Sequence, residues 1–303
     1  MQYPTAAAFR RALEDRLNQR ARTTGAPLMR LRKNVVFQRL LVRLLGVSPD
    51  RWILKGALAL DFRLSDRQGA RPRATKDMDL LHVGAIEAAD ADFRRAQDLD
   101  LGDYFEFAVE RTELAQEDRE AGGASLRYRV RATLAGRVFE QVLVDVGFAP
   151  TTAQPEVVEG PDLLDFAGLA PVHVPALPTA LHVAEKVHAY TRRYGPGGAA
   201  SSRPKDLVDL VLLAMHEPFL AGELRAALEE TFASRGTHPL PGDLPPPPTE
   251  WARPYAELAQ QVGIAPALED GYQQARAFLG PILGGTASGD ARWGPADQQW
   301  ERA

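Results

Sequence analysis

Apolar residues recur at the spacing of a helix near the start of the chain and again through its C-terminal half. At the start they predict two helices, at 6–22 and 28–45, because glycine and proline interrupt the pattern between them. After residue 178 they predict five more helices, at 179–194, 205–216, 222–234, 249–262 and 267–279. The residues between these two helical regions must therefore supply any sheet.

Short apolar runs and alternating positions characterise the middle of the chain. They predict strands at 52–54, 76–83, 104–111, 125–134 and 137–148, helices at 58–64 and 85–99, and a polar loop at 65–73. In 125–134 apolar residues alternate with polar residues, mostly arginines, which is typical of a half-buried antiparallel strand, and Gly136 predicts the hairpin turn that follows it.

Three stretches are predicted to lack regular structure. Residues 150–178 contain four prolines after Pro150 and before Pro178, and they favour loops. The proline-rich segment 239–248 predicts an extended polyproline bridge rather than packed structure. About the last twenty residues are expected to be frayed.

The order of the elements predicts an α+β fold, with helices before and after a mixed centre. We expect an N-terminal helical segment at 1–50, a core at 51–150 and a helical C-terminal domain at 151–303. No run approaches the ~18 apolar residues of a membrane span, and the N-terminus lacks the apolar core of a signal peptide. These features predict a soluble cytoplasmic protein that has no membrane partner.

Cysteine is absent from the sequence, which excludes disulfides, cysteine nucleophiles and cysteine-based zinc sites. Any metal must therefore be held by oxygen atoms or imidazole.

The net charge of -4 hides a strong asymmetry along the chain. Residues 1–80 contain 17 Lys and Arg against 7 Asp and Glu, and the rest contain 19 against 33. The second predicted helix is expected to have a basic surface made by Arg30, Arg32, Lys33, Arg39 and Arg43. Such a region could bind phosphate groups, or it could be a solvated helix face that docks on the protein's own acidic half.

Two aspartates on the predicted strand 76–83 are candidate metal ligands. Residues two apart in a strand point to the same face, so Asp77 and Asp79 project together, with Cα atoms roughly 6.5–7 Å apart. Mg²⁺ suits this pair, because it binds a few carboxylates together with phosphates and water. The alternative is a solvated acidic pair with no ligand.

Asp145 lies in the apolar run 142–146, where an ionised carboxylate is costly unless it is paired or metal-bound. Together with Asp77 and Asp79 it could hold two Mg²⁺ ions about 3.5–4 Å apart, the arrangement that serves phosphoryl transfer. The alternative is a salt bridge to one of the arginines at 127, 129 or 131.

Gly56 stands between a predicted strand and a predicted helix. A glycine at such a turn lets backbone N–H groups at the helix N-terminus approach phosphate oxygens. Combined with the D-x-D strand, this is the layout expected of a nucleotidyltransferase.

Five motifs carry a family resemblance. They are G-A-L-A-L from Gly56, R-x-T-x-D-x-D from Arg73, V-D-V-G-F from Val144, E-K-V-H-A from Glu185 and R-P-K-D-L-V-D-L from Arg203. In this order they resemble the AbiEii/AbiGii toxin family, nucleotidyltransferase-like toxins of bacterial toxin–antitoxin and abortive-infection systems, related to the mycobacterial MenT toxins. The resemblance implies a polymerase β-type nucleotidyltransferase core with a mixed sheet, and a cognate antitoxin as partner.

The resemblance also implies roles for individual residues. It makes Asp77 and Asp79 the metal-binding pair and Asp145 the third carboxylate, with Mg²⁺ as the cofactor. Further residues that it places at the catalytic or nucleotide-binding site are Gly56, Lys55, Thr75, Lys186, Lys205, Asp206 and Asp209. The open alternatives are a surface position for Lys186, and an ordinary favourable helix-dipole position for Asp206 and Asp209.

Two classes of function follow. The first is an enzyme that transfers nucleotides from a nucleoside triphosphate to RNA, at the 3′ acceptor end of tRNA as the resemblance implies, and so blocks translation. There Lys186 would neutralise the departing pyrophosphate. The second is a catalytically degenerate module of the same fold that binds a nucleotide or a partner. Ala57, which stands where the family often has serine or threonine, favours the second class, and the intact set of aspartates favours the first.

Overall fold

A computed structural model describes residues 2–65, 72–112, 125–148, 153–193, 201 and 203–302. Most of the predicted loop 65–73, together with Tyr194 of a predicted helix, lies outside these residues. The chain forms two compact units, one of residues 1–63 and 74–177 and the other of residues 64–73 and 178–303. The three predicted domains stay a prediction, because packing does not show which parts fold independently.

The first unit contains four α-helices, one short 3-10 helix (Asp165–Ala167) and seven strands among the described residues. The helices are α1 (Ala6–Thr24), α2 (Leu28–Val47), α3 (Gly56–Leu64) and α4 (Ile86–Asp98). The strands are β1 (Trp52–Lys55), β2 (Asp77–His82), β3 (Phe105–Thr112), β4 (Ser125–Leu134), β5 (Arg137–Phe148), β6 (Glu156–Glu159) and β7 (His173–Ala176). Every helix and strand predicted before residue 150 is present.

The seven strands form one mixed sheet in the order β3-β4-β5-β2-β1-β7-β6 within the described residues. β2 is parallel to β5 and β1 is parallel to β7, while the other neighbours are antiparallel. The strand with the two aspartates, β2, therefore lies in the interior of the sheet, between β5 and β1.

One face of this sheet is apolar and buried. Alternate residues such as Leu54, Leu80, Val144 and Tyr128 belong to a hydrophobic core shared with apolar residues of α1, α2 and α4. Because side chains alternate along a strand, the intervening positions of β2 and β5 are on the opposite face, and those positions include all three candidate aspartates.

The prediction that 150–178 is loop-rich was wrong in part. β6 and β7 are an antiparallel pair, and β7 joins the sheet beside β1. Both strands are only four residues long, and Pro175 lies within β7. The prolines that disfavour a strand locally are therefore overridden by pairing with the rest of the sheet.

The second unit contains α5 (Thr179–Thr191), α6 (Pro204–His216), α7 (Ala221–Arg235), α8 (Ala252–Val262), α9 (Leu268–Leu283), β8 (Phe219–Leu220), β9 (Arg292–Gly294) and β10 (Gln299–Glu301). The five predicted helices are thus confirmed, with shifts of a few residues at their ends. No helix within the described residues is both long and apolar enough to cross a membrane.

Two predictions about this unit were wrong. The end of the chain is not frayed, because β9 pairs with both β8 and β10 in a small sheet. Trp293 of β9 is 2% exposed, and its indole N–H donates to the carbonyl of Ala214 at 2.7 Å. The proline-rich segment 239–248 has no helix or strand, but it is packed. Leu244 is 1% exposed, and the hydroxyls of Tyr190 and Tyr272 donate to carbonyls of this segment.

The expected basic surface of α2 is largely absent, because its cations turn inward. Arg39 and Arg43 are buried and bind Asp103 at 2.7–2.9 Å. Burial alone would raise the pKa of Asp103, but these two arginines hold the pKa of that carboxyl below its ordinary value. Arg30 binds Asp61 and Arg32 binds Glu14 in the same way. Docking on the acidic half of the chain therefore accounts for Arg39 and Arg43, whose partner follows residue 80. Arg30 and Arg32 instead bind acidic residues of the basic region itself.

Candidate active site

The candidate metal ligands lie at the centre of the sheet, on the face opposite the hydrophobic core. Asp77 and Asp79 are alternate residues of β2, and both are half-buried. Asp79 is paired in register with Asp145 of the parallel strand β5. The fold therefore brings all three predicted carboxylates onto one face of two neighbouring strands.

Two cations flank these carboxylates in the same row of the sheet. Lys55 of β1 is paired in register with Asp79, and Arg127 of β4 is paired in register with Asp145. A Cβ placed on Gly147 would lie 3.8 Å from Nζ of Lys55, so the lysine side chain reaches across β2 towards β5. These side chains form a row across four neighbouring strands, and their formal charges sum to zero. The row consists of Lys55, Asp79, Asp145 and Arg127.

Gly56 is required by its contact with Asp79. It has a φ of +65°, a backbone conformation that favours glycine, and it joins β1 to α3. A Cβ at this position would lie 2.1 Å from Oδ2 of Asp79, so any larger residue would displace the carboxylate. The glycine predicted to admit a phosphate also makes room for an aspartate of the D-x-D pair.

Thr75 lies just before β2 and binds its first residue. Its hydroxyl donates to the carbonyl of Asp77 at 2.8 Å and accepts from the N–H of Asp77 at 3.4 Å. The hydroxyl therefore stabilises the turn into the strand, and its predicted contact with a nucleotide stays a prediction.

Arg127 binds both oxygens of Asp145. Its Nε donates to Oδ1 at 2.6 Å and its Nη2 to Oδ2 at 2.8 Å, a two-pronged, charge-assisted pair. This is the salt bridge named as the alternative for Asp145. Within the described ranges, no three acidic or imidazole side chains form a group that could hold a metal ion. Asp77 and Asp79 are two carboxylates on one face of β2, and such a pair together with phosphate and water suits Mg²⁺.

The later motifs build a separate network in the second unit. The ammonium of Lys186, on α5, lies 2.9 Å from Oδ1 of Asp206 and 2.8 Å from Oδ2 of Asp209, both on α6. Arg73 binds both oxygens of Asp209, at 2.8 and 2.9 Å, and Nε of Arg203 lies 2.9 Å from Asp206. The result is a chain of alternating charges, with both aspartates fully buried.

This environment fixes the charge of the network. Burial alone would lower the pKa of Lys186, but Asp206 and Asp209 outweigh it and raise the pKa above the ordinary value. Lys186 and Arg73 likewise hold the pKa of Asp209 well below its usual range, although burial alone would raise it. For Lys205, burial and the neighbouring Arg203 lower the pKa. Lys186 is therefore a buried, charged lysine, and the alternative of a surface lysine was wrong.

The structure thus brings the predicted residues together in two groups. Lys55, Gly56, Thr75 and the three aspartates belong to the first unit, and Lys186, Lys205, Asp206 and Asp209 belong to the second. Sequence reasoning assigned no role to Arg73 or Arg203, although both lie in the quoted motifs. Spacing gave no sign that Arg73 would bind Asp209, because they are far apart in sequence.

Comparison with known proteins identifies the family. The sequence matches the family described as nucleotidyl transferase AbiEii toxin, type IV toxin–antitoxin system, over residues 39–298. No curated protein matches the sequence significantly. The structure is similar to that of MenT4, a nucleotidyltransferase toxin from Mycobacterium tuberculosis H37Rv, with 19% identity, 82% of each chain covered and a TM-score of 0.50.

Structural similarity at 19% sequence identity shows the fold, and it confirms the predicted nucleotidyltransferase fold class. The family match extends over most of the chain and confirms the resemblance drawn from the motifs. The chain is a member of the AbiEii family of nucleotidyltransferase toxins of type IV toxin–antitoxin systems.

Proposed function

We propose that the protein transfers nucleotides from a nucleoside triphosphate to the 3′ acceptor end of tRNA, in a Mg²⁺-dependent reaction that blocks translation. The observation that carries this proposal is the Asp77–Asp79 pair beside the Gly56 turn, where a carboxylate fills the space that a Cβ would need. The tRNA substrate and the cognate antitoxin come from the family resemblance. The reaction belongs in the cytoplasm, where tRNA and triphosphates are found.

In this reaction the 3′-oxygen of the RNA forms a bond to the α-phosphorus of the triphosphate. The bond from that phosphorus to the pyrophosphate oxygen breaks, and the hydroxyl proton is released. A divalent ion held by Asp77 and Asp79 would lower the pKa of the attacking hydroxyl and neutralise phosphate charge.

The chain's own groups support the same chemistry. Gly56 begins α3, whose first backbone N–H groups have no partners within the helix and suit phosphate oxygens. Lys186 is held charged by Asp206 and Asp209. Its proposed role, neutralising the pyrophosphate as it leaves, requires a permanent cation, and the raised pKa of Lys186 meets that requirement.

The direct test is incubation of the purified protein with each α-labelled triphosphate, total tRNA and Mg²⁺, followed by separation of the RNA on a denaturing gel. We expect label at the tRNA 3′ end, and none when Mg²⁺ is chelated. Asp77→Asn should lower the rate on the order of 10²–10³-fold, as loss of an electrostatic contact to developing charge does. Asp98→Asn, at an exposed aspartate of α4, is the matched control and should transfer at the parental rate.

Three results would change the proposal. Label on other RNA but not on tRNA would overturn the substrate. Transfer by Asp77→Asn at the parental rate would overturn the proposed site. Triphosphate binding without any transfer would favour the catalytically degenerate binding module.

A further inference from the structure

Arg127 occupies the position beside Asp145 that a second metal ion would have to share. β4 is hydrogen-bonded to both β3 and β5, and in this ladder Arg127 stands directly opposite Asp145. Its guanidinium contacts both carboxylate oxygens, at 2.6 and 2.8 Å, and the two side chains are only 19% and 23% exposed. Both oxygens of the third carboxylate are therefore committed to a fixed positive charge.

The backbone keeps this arginine in place. Arg127 is the third residue of a ten-residue strand, and its own carbonyl accepts from the hydroxyl of Thr112 on β3 at 3.2 Å. A bidentate pair between an arginine and a carboxylate is both directional and strong. A metal ion could bind Asp145 only if this bidentate pair broke, or if a divalent cation lay next to the guanidinium, where the two positive charges would repel each other.

The balance of charge in the row leads to the same conclusion. Lys55 and Arg127 stand in register with Asp79 and Asp145, so the formal charges of this row sum to zero, and Asp77 is the further acidic residue on this face of β2. One divalent ion would leave this group of five side chains with a single positive charge. A second ion would leave three positive charges before any substrate is bound, and this repulsion disfavours its binding.

We infer that Arg127 takes the place of a second metal ion, so that the site binds one divalent ion through Asp77 and Asp79 while Asp145 serves to hold Arg127. This inference rests on the proposed function, because it needs the D-x-D pair to bind a metal. Asp145 is then a positioning residue, and the guanidinium of Arg127 is a fixed cation on the same face of the sheet as the D-x-D pair. It replaces the three-carboxylate, two-ion arrangement that the sequence predicted.

The test is to count the ions. The purified full-length protein is titrated with Mn²⁺ alone, and free Mn²⁺ is measured by electron paramagnetic resonance. We expect one bound Mn²⁺ per parental chain, and two per chain of Arg127→Met, because Asp145 is then released as a ligand. The matched control is Arg129→Met, which removes the next arginine on the same face of β4 and should still bind one.

The double variant Arg127→Met with Asp145→Asn should return to one ion, since the additional ligand is gone. Two ions bound to the parental protein would overturn the inference without needing any variant to fold. A single ion on a folded Arg127→Met, or two on the double variant, would also overturn it. No ion on the parental protein would instead overturn the metal site of the proposed function, so the two failures are distinct.

Discussion

Replacing Lys186 by methionine tests how the buried network of the second unit is held together. The change keeps most of the length of the unbranched side chain and removes the ammonium that contacts Asp206 and Asp209 at 2.9 and 2.8 Å. Both carboxylates are fully buried, and each keeps an arginine partner. Removing one member of a buried ion pair typically costs about 3–5 kcal/mol, so we expect a loss of that size in the free energy of unfolding.

The assay is urea denaturation followed by tryptophan fluorescence. Three of the four tryptophans, Trp251, Trp293 and Trp300, belong to the second unit, so the signal mainly reports its unfolding. Lys33→Met is the matched control, because this lysine donates one exposed hydrogen bond to a backbone carbonyl, and it should lose less than about 1 kcal/mol.

A second variant separates charge from packing. In Lys186→Met with Asp206→Asn, one of the two buried carboxylates that lost the lysine becomes neutral, so part of the lost stability should return. A loss below about 1 kcal/mol in the single variant, or a double variant less stable than the single one, would refute the reasoning. In that case Lys186 would not hold the two aspartates together.

Three further predictions follow from other parts of the structure. Gly56→Ala should weaken Mn²⁺ binding, because the added Cβ would displace the carboxylate of Asp79. Gly136 is the control, because it has a similar φ of +68° but nothing within 4 Å of an added Cβ. Gly136→Ala should lower the free energy of unfolding by the backbone cost of about 1–2 kcal/mol and leave Mn²⁺ binding unchanged. Asp103→Asn should lower stability by about 3–5 kcal/mol in denaturation, because it leaves two buried arginines without their anion. Burial lowers the pKa of His188 to about 4 in the folded protein. Between pH 7 and 4 the unfolded chain therefore binds more protons at this histidine than the folded chain does. The free energy of unfolding should fall by up to about 3 kcal/mol as the pH drops through that range. His188→Gln should flatten that dependence, and His173→Gln, at an exposed histidine, should not.

Each of these predictions has a result that contradicts it. Equal Mn²⁺ affinities for the two glycine variants would show that the carboxylate moves aside without consequence. An Asp103→Asn protein within about 1 kcal/mol of the parent would show that its arginines find other partners. An unchanged pH dependence in His188→Gln would assign the effect to other groups.

Local pattern predicted much of the fold because the core strands are long and regular. The ends of β4 and β5 agree with the predicted 125–134 and 137–148, since alternation and a glycine turn specify them without help from the rest of the chain. Asp77 and Asp79 share a face for the same reason, because the alternation of a strand is a local property. Their place beside Asp145 depends on strand order, which the apolar run only suggested.

Long-range pairing explains what the sequence did not predict. The four-residue strands β6 and β7 are too short to show a period, and β7 contains a proline. They form because the longer sheet offers them an edge. Arg39 and Arg43 look like surface residues by type, and only the buried Asp103, about sixty positions away, turns them inward. The contact of Arg73 with Asp209 has the same origin.

The segment 64–73 has a consequence for how the protein can be divided. It belongs to the second unit, although the residues on both sides of it belong to the first. A fragment ending at residue 177 would therefore contain Arg73 without Asp209. A fragment beginning at residue 178 would contain Asp209 without the arginine that binds both of its oxygens. During synthesis the same arginine leaves the ribosome long before its partner exists. The second unit can complete its fold only when nearly the whole chain has been made, so a prematurely terminated toxin would lack one of its two halves.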